Sequence, residues 1–377
     1  MRALLVDQSR DRATLVAVRA LARAGYTVAT GAYEPSFAST SRYAQRHHTI
    51  RECEDGEDEF VADIAKAVAE GSYDIVFCSY DVGLVTLSRR REEIGPAVWP
   101  YGPYETVHRA FDKLDLARSA QAAGLAAPRT ELADAAAIAG WSGPAVVKAR
   151  SHVPKRFDTE LFASAGEGQR LIDEIHAEGG EALLQEVMRG EMGAVVLVAG
   201  KDGEIVAEVH QEAVHTWPPG AGDTVRGRVV TRDPELSRGV RALVADIGWF
   251  GLVQVEFMRD AGGTPHITDF NGRFYGSLAL ATGAGANLPA IWADQALGRD
   301  TRLERPARLG AGFQWLNRDL AASYARGPRS LIGAVSAAPI DAHSMWDVRD
   351  PAPCLRYLLP EAGRRLYGRL GKGTAKS

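Results

Sequence analysis

Residues 1–93 alternate strand-like and helix-like segments with a regularity that leaves few folds open. Residues 2–6 (RALLV) form a continuous apolar run of strand length. Residues 11–24 then place Leu15, Val18, Leu21 and Ala22 at helical spacing, with Gly25 where a helix would be capped. Residues 26–30 return to a strand pattern. A helix over 58–70 carries Phe60, Ile64 and Val68, a strand covers 74–78, and a helix covers 81–93. Strands joined through helices of this length run parallel, with helices on both faces. After the first strand the sequence reads Asp7-Gln8-Ser9-Arg10, with no G-x-G-x-x-G, so no dinucleotide is expected. Asp7 or Ser9 is placed either to face an anion at the next helix N-terminus or simply to cap it.

Residues 95–103, rich in Gly, Pro and aromatic side chains, mark a boundary. Beyond it the pattern predicts a helix with Asp112 as N-cap, Asp115 three residues on, and Gly124 closing it ahead of Pro128. Lys113 falls in the first turn, where the helix dipole disfavours a cation unless an anion lies opposite. Residues 143–149 (GPAVVKA) read as a short strand, and Lys148 amid apolar neighbours either snorkels or meets a buried anion. A helix over 166–178 and a strand over 182–187 follow, the latter ending in Gln185-Glu186-Val187-Met188 ahead of Gly190-Glu191. Strands are expected over 193–199 and 204–210. Residues 210–228, polar and rich in Gly and Pro, read as a long functional loop.

A helix over 234–247 precedes the densest stretch, residues 253–277 (VQVEFMRDAGGTPHITDFNGRFYGS). Val253, Val255 and Phe257 alternate with polar residues, a turn spans 260–265, and a second strand returns over 266–270. Asp269 and Asn271, two apart, share a face, and a suitable register brings Glu256 beside them. Two carboxylates and an amide oxygen, with no Cys or His, make a hard-oxygen site suited to Mg²⁺ shared with nucleotide phosphates. Acidic residues at strand ends are ordinarily just solvated. Here Phe257, Ile267 and Phe270 make the stretch largely buried, where unpaired carboxylates are costly. Arg273 is placed to meet negative charge at that site. Helices are expected through 281, over 288–297, 315–325 and 328–337, and a basic tail runs from Arg364 to Lys376.

With 377 residues the chain is long enough for two or three domains. A net charge of −4 gives no reason to expect nucleic-acid binding. No apolar run approaches the length of a signal peptide or a membrane span. Three cysteines, far apart and without CxxC spacing, argue against a zinc site or disulfide framework and suit a reducing cytoplasm. A dimer is the default for an enzyme of this size.

Taken in order, the Asp112-Lys113 pair, the strand ending at Lys148, LLQEVMRGE, VEF and TDFNGR resemble the ATP-grasp superfamily. The run from GWFGLVQVEF to NGRFYGS is most similar to its carboxylate–amine ligase and carboligase branch. The resemblance spans residues 1–300 and implies an ATP-grasp fold, α/β and α+β in class. It divides the chain into an N-terminal parallel-sheet domain (1–105), a small lid domain (106–190), a large domain (191–305) and a C-terminal helical extension with the basic tail (306–377). It implies that Lys113 and Lys148 hold nucleotide phosphates, and that Gln185, Glu186, Val187 and Met188 lie along the adenine. Glu191 would bind the ribose, and Glu256, Asp269 and Asn271 would ligate Mg²⁺ or Mn²⁺. Arg273 would steady the reacting phosphoryl group.

Gly276 and Ser277, opening a helix, are candidates for a substrate carboxylate, and Arg226 and Arg228 are either substrate contacts or a solvated strand edge. His210, His215 and Trp217 either shape the acceptor pocket or pack. The implied reaction joins a small carboxylate to an amine through an acyl phosphate, releasing ADP and phosphate. The alternatives are an ATP-dependent carboxylase or carbamoyl-phosphate-type enzyme, and a nucleotide-binding regulatory protein. In one respect the sequence departs from many members of the superfamily. The loop after Lys148 has no glycine, and its cations Arg150, Lys155 and Arg156 would grip phosphates by charge or lie on the surface.

Overall fold

A computed structural model describes residues 1–8, 11–151, 160–162, 164–218, 222–303, 305–337 and 340–356. The N-terminal strands Arg2–Val6, Thr27–Ala32, Ala44–Thr49 and Ile75–Cys78 form a parallel sheet. The first strand pairs with the second on one side and the fourth on the other. The order reverses there, which opens a crevice outside the strand C-termini. The polar strand Ala44–Thr49 (AQRHHT) carries no apolar signal, because it lies at the sheet edge with most of its side chains half-buried or exposed. Asp11, rather than Asp7 or Ser9, caps helix Arg12–Arg23, accepting from the backbone N–H of Ala13 and Thr14. Ser9 lies outside the described residues. The helix expected over 81–93 stops at Arg89 and a single 3₁₀ turn, Arg91–Ile94, follows.

The small sheet is antiparallel, in the order Thr130–Leu132, Ala182–Glu186, Ala145–Ala149, Glu160–Leu161. Helices Ala135–Gly140 and Ala165–Ala177 cover it, and Ile138, Val147, Leu171, Ile172, Ile175 and Leu184 give it a core of its own.

A seven-stranded sheet makes up the rest. Within it the strand Glu191–Ala199 is flanked by Gly251–Arg259 and Ile205–Trp217. Here the expected loop over 210–228 gives way to a hairpin. Strands Ile205–Trp217 and Asp223–Val230 pair antiparallel, with register shifts around Val214 and His215. Those bulges break the period-two pattern, and Gly and Pro mark only the tip. Residues 306–356 are not purely helical. Besides helices Leu316–Arg326 and Pro328–Ser336, strands Gly312–Gln314 and Ala342–His343 extend the large sheet. The basic tail lies outside the described residues.

The N-terminal and large sheets share one core, in which Phe274 packs against Phe77 and Trp292 with ring centroids 5.3 Å from each. The chain then returns to its start. Asp350 accepts from Arg19 Nε at 2.8 Å, and this pair is almost wholly buried. Among the described residues no helix is long and apolar enough to cross a membrane.

Candidate functional site

The strands Gly251–Arg259 and Pro265–Asn271 place Glu256 directly opposite Asp269, and Gln254 opposite Asn271. All four side chains lie on one face. Between Glu256 and Phe257 the register shifts, so that Phe257 pairs with Ile267, and Phe257, Ile267 and Phe270 are buried in the core. Burial, then the charges of Asp269 and Asp223, push the Glu256 carboxyl up to about 8, with Arg273 acting in the opposite direction. Asn271 Nδ2 donates to Gln254 Oε1 at 3.3 Å. With its nitrogen committed, the amide has its oxygen left to act as a ligand.

This donor set fits a hard divalent cation. Two adjacent carboxylates, the Glu256 carboxyl raised first by burial and then by the charge of Asp269, carry charge that a bound cation would offset. Among the described residues no group of three or more His, Cys, Asp or Glu side chains is arranged to hold a metal. The pair and the amide would therefore need oxygens from a second ligand to complete a coordination shell.

Lys148 enters from the small sheet. Buried at 7% exposure, it is pushed down to about 7 by burial and then by Lys113, while Asp269 acts to raise it. Both lysines and the acidic pair thus share one electrostatic environment. Lys113 is brought there by the Asp112 cap, which accepts from the N–H of Leu114 and Asp115, and by its own N–H, which donates to Arg150 O at 3.0 Å. Arg150 is engaged with Asp112 at 2.7 Å and Glu181 at 3.0 Å. It braces the first turn of the helix instead of pointing free. Lys155 and Arg156 lie outside the described residues.

Along the connection between the small and large sheets, Gln185 is buried and donates to Thr130 Oγ1 at 2.8 Å. Glu186 is exposed, Val187 and Met188 are half-buried, and the Val187 N–H donates to Pro144 O. Glu191 starts the strand Glu191–Ala199, opposite Arg259. With Met192, Glu212, His215, Arg228 and Arg326 it lines a cavity of about 400 Å³. Met192 and Glu212 also border the narrow cleft that reaches Glu256, Gln254 and Ser277.

Arg273 meets a carboxylate that the sequence did not single out. Its Nε donates to Asp81 Oδ1 at 2.5 Å, its Nη2 to Asp81 Oδ2 at 2.8 Å, and its Nη1 to Phe274 O at 3.2 Å. Burial would lower the Arg273 pKa, but Asp81 foremost, then Asp11 and Asp269, drive it up. The residues considered for a substrate carboxylate are already engaged within the protein. The helix after Arg273 is only Leu278–Gly283, and the Leu278 N–H is taken by Tyr275 O. Ser277 Oγ accepts from Gln211 at 2.9 Å and Gln254 at 3.2 Å. Gly276 O accepts from Arg12 Nε at 3.1 Å. Arg226 forms an ion pair with the fully buried Asp319 at 2.9 Å, and Arg228 meets Glu212 at 3.2 Å. His215 joins the Arg226–Asp319 cluster, and His210 bridges Glu208 and the Asp233 N–H.

Sequence reasoning passed over Gln254, Gln211, Asp81 and Gly272. Gln254 carried a signal, since it sits two residues before Glu256 on the same strand face. Gly272 separates Asn271 from Arg273, and a Cβ there would lie 2.3 Å from the Trp249 ring. Asp7 lies buried at the end of the first strand. Burial, then the charge of Asp11, holds its pKa well above the usual carboxylate range.

Residues 180–318 match the family described as ATP-grasp in the biosynthetic pathway with Ter operon. No curated protein matches the sequence. Among solved structures, an L-amino acid ligase from Bacillus licheniformis superposes with a TM-score of 0.65 at 14% identity, covering 83% of this chain and 78% of that one. Biotin carboxylase from Campylobacter jejuni gives 0.63 at 15%, covering 82% and 74%. N5-carboxyaminoimidazole synthetase from Staphylococcus aureus gives 0.62 at 15%, covering 79% and 78%.

Proposed function

We propose that this chain, which has the ATP-grasp fold, is an ATP-dependent ligase that activates a small carboxylate and joins it to an amine. The observation that carries this reading is the Glu256–Asp269 pair, with Lys148 reaching it from the small sheet and Arg273 beside it. In this reading Lys113 and Lys148 hold the nucleotide phosphates, Gln185 to Met188 lie along the adenine and Glu191 takes the ribose. Glu256, Asp269 and the Asn271 oxygen would hold Mg²⁺ together with phosphate oxygens. Bound there, the cation would neutralise charge between nucleotide and carboxylate.

Phosphoryl transfer depends on alignment and charge stabilisation, which suits a site of lysine, arginine and acid without a protein nucleophile. A substrate carboxylate oxygen forms a bond to the γ-phosphorus as the bond to the ADP oxygen breaks. An amine nitrogen then attacks the acyl carbon, phosphate leaves, and the surplus amine proton passes to solvent. The Arg273 guanidinium would face the transferring group in both steps. The small sheet, closing over the site, would exclude water from the acyl phosphate.

The test is incubation with ATP, Mg²⁺ and pooled carboxylates and amines, bicarbonate included. ADP and phosphate are expected, and hydroxylamine should trap the activated acid as a hydroxamate. Release of AMP and pyrophosphate would exclude this chemistry. Turnover with bicarbonate alone would move the assignment to a carboxylase. Nucleotide binding without turnover on any acid would favour a regulatory protein.

A further inference from the structure

We propose that Asp81 of the N-terminal domain is the positioning residue that fixes the Arg273 guanidinium for the reaction. The proposal rests on the ligase reading above. Asp81 is the first residue of helix Asp81–Arg89, just past the C-terminal end of strand Ile75–Cys78. It stands at the crevice where the order of the parallel sheet reverses. Arg273 lies 192 residues away, two residues after the Asn271 that ends its strand. Side-chain exposure is 10% for Asp81 and 22% for Arg273, so water offers the pair little alternative hydration.

Two features argue against a mere clasp between domains. First, the domains are already joined one residue further on. Phe274 is fully buried between Phe77 and Trp292, in a core continuous across both sheets. A buried ion pair adds little to such a junction, since desolvation offsets much of its attraction. Second, the geometry is specific. Two parallel N–H···O bonds to one carboxylate set the plane of the guanidinium, which a single contact would leave free to rotate. The third bond, from Nη1 to Phe274 O, sets its height. Of the five N–H groups, one on each Nη then has no partner among the described residues. The charge so fixed acts on both Glu256 and Asp269. Asp81 therefore determines which way the unspent N–H groups face, and it does so from the domain that holds the crevice.

The test uses the full chain carrying Asp81→Ala, Asp81→Asn and Asp81→Glu. Mg·ATP affinity is measured by calorimetry, turnover by ADP release, and folding by thermal melting. For Asp81→Ala, kcat should fall about 10- to 100-fold, while the nucleotide Kd and the KM for ATP stay within about threefold. Asp81→Glu, which keeps the carboxylate, should recover part of the loss. A second arm uses Arg273→Ala. Added guanidinium should restore turnover when Asp81 is present and fail to do so in the Asp81→Ala, Arg273→Ala double variant, which a purely structural role for Asp81 would not produce.

Unchanged kcat in folded Asp81→Ala, or equal rescue in both backgrounds, would overturn the proposal. A fall in kcat matched by an equal loss of nucleotide affinity would also overturn it. A wild-type protein that binds no Mg·ATP would instead defeat the ligase reading, and the two failures are distinguished by that first calorimetric measurement.

Discussion

Glu256 and Asp269 sit directly opposite each other on neighbouring antiparallel strands, so two carboxylates face one another across the pair. Like charges so placed repel. Asp269→Asn should therefore leave the melting temperature unchanged or raised, while Mg²⁺-dependent turnover falls by at least ~100-fold. Melting and ADP-release assays on one preparation check both halves; wild-type turnover would remove Asp269 from the site.

The same pair sets a pH dependence. The Glu256 carboxyl moves from an ordinary value of 4.5 up to about 8, so the folded protein binds its proton more tightly than the unfolded chain. That contribution is fully present below about 4.5 and is lost as pH rises toward 8. Without divalent cations, the protein should lose melting temperature across this window relative to Glu256→Gln. Parallel profiles for the two proteins would contradict the shift.

Lys148, held down to about 7 by burial and by Lys113, is largely neutral at pH 8. A polyphosphate beside it favours the ammonium, so binding of ATP in EDTA at pH 8 should take up protons. Calorimetry in buffers of different ionisation enthalpy should show this uptake and its reduction in Lys148→Met. The affinity of metal-free ATP should also weaken more between pH 6 and pH 8 in the wild type than in the variant.

Gly272 allows Asn271 and Arg273 to pass close to Trp249, whose ring would lie 2.3 Å from a Cβ at that position. Gly272→Ala should destabilise the protein by ~1–3 kcal/mol through overpacking and lower turnover more than nucleotide affinity. Chemical denaturation and ADP release measure the two effects.

Glu208 lies away from the site. Burial alone would raise its carboxyl, yet hydrogen bonds from His210, Ser237 and Arg241 hold it at about 2. The resulting stability is present above its ordinary value of 4.5 and is lost as pH falls toward 2. Glu208→Gln should cost ~1–2 kcal/mol at pH 7, allowing for partial solvent screening. The difference should shrink below pH 4, as denaturation curves at the two pH values would reveal.

The readable parts of this molecule are those where side-chain periodicity and local chemistry coincide. The alternation in residues 1–93 anticipates the parallel sheet because buried strands and amphipathic helices leave different apolar periods. Asp112 and Pro234 mark helix starts that the structure places as expected. Glu256, Asp269 and Asn271 could be grouped because strand period and a recognisable turn put them on one face. What escaped notice depends on contacts between distant segments. Nothing near Asp81 points to Arg273, and nothing near Arg226 points to Asp319. The strand Ala44–Thr49 hid its nature by lying at an edge, and the hairpin over Ile205–Trp217 by its bulges. Strands as short as Gly312–Gln314 hold too few residues to show a period.

The buried Arg19–Asp350 pair bears on how the protein is made. Asp350 also accepts from Ser41 Oγ and the Arg42 N–H, so one late residue satisfies three groups from the first 42. During synthesis the N-terminal helix emerges hundreds of residues before its counter-charge, and until then Arg19 has either to stay hydrated or be buried unpaired. Packing of the first domain is therefore completed only after the large sheet has been translated. A ribosome-stalled chain ending at residue 337 should be far more sensitive to protease around residues 12–42 than the released protein.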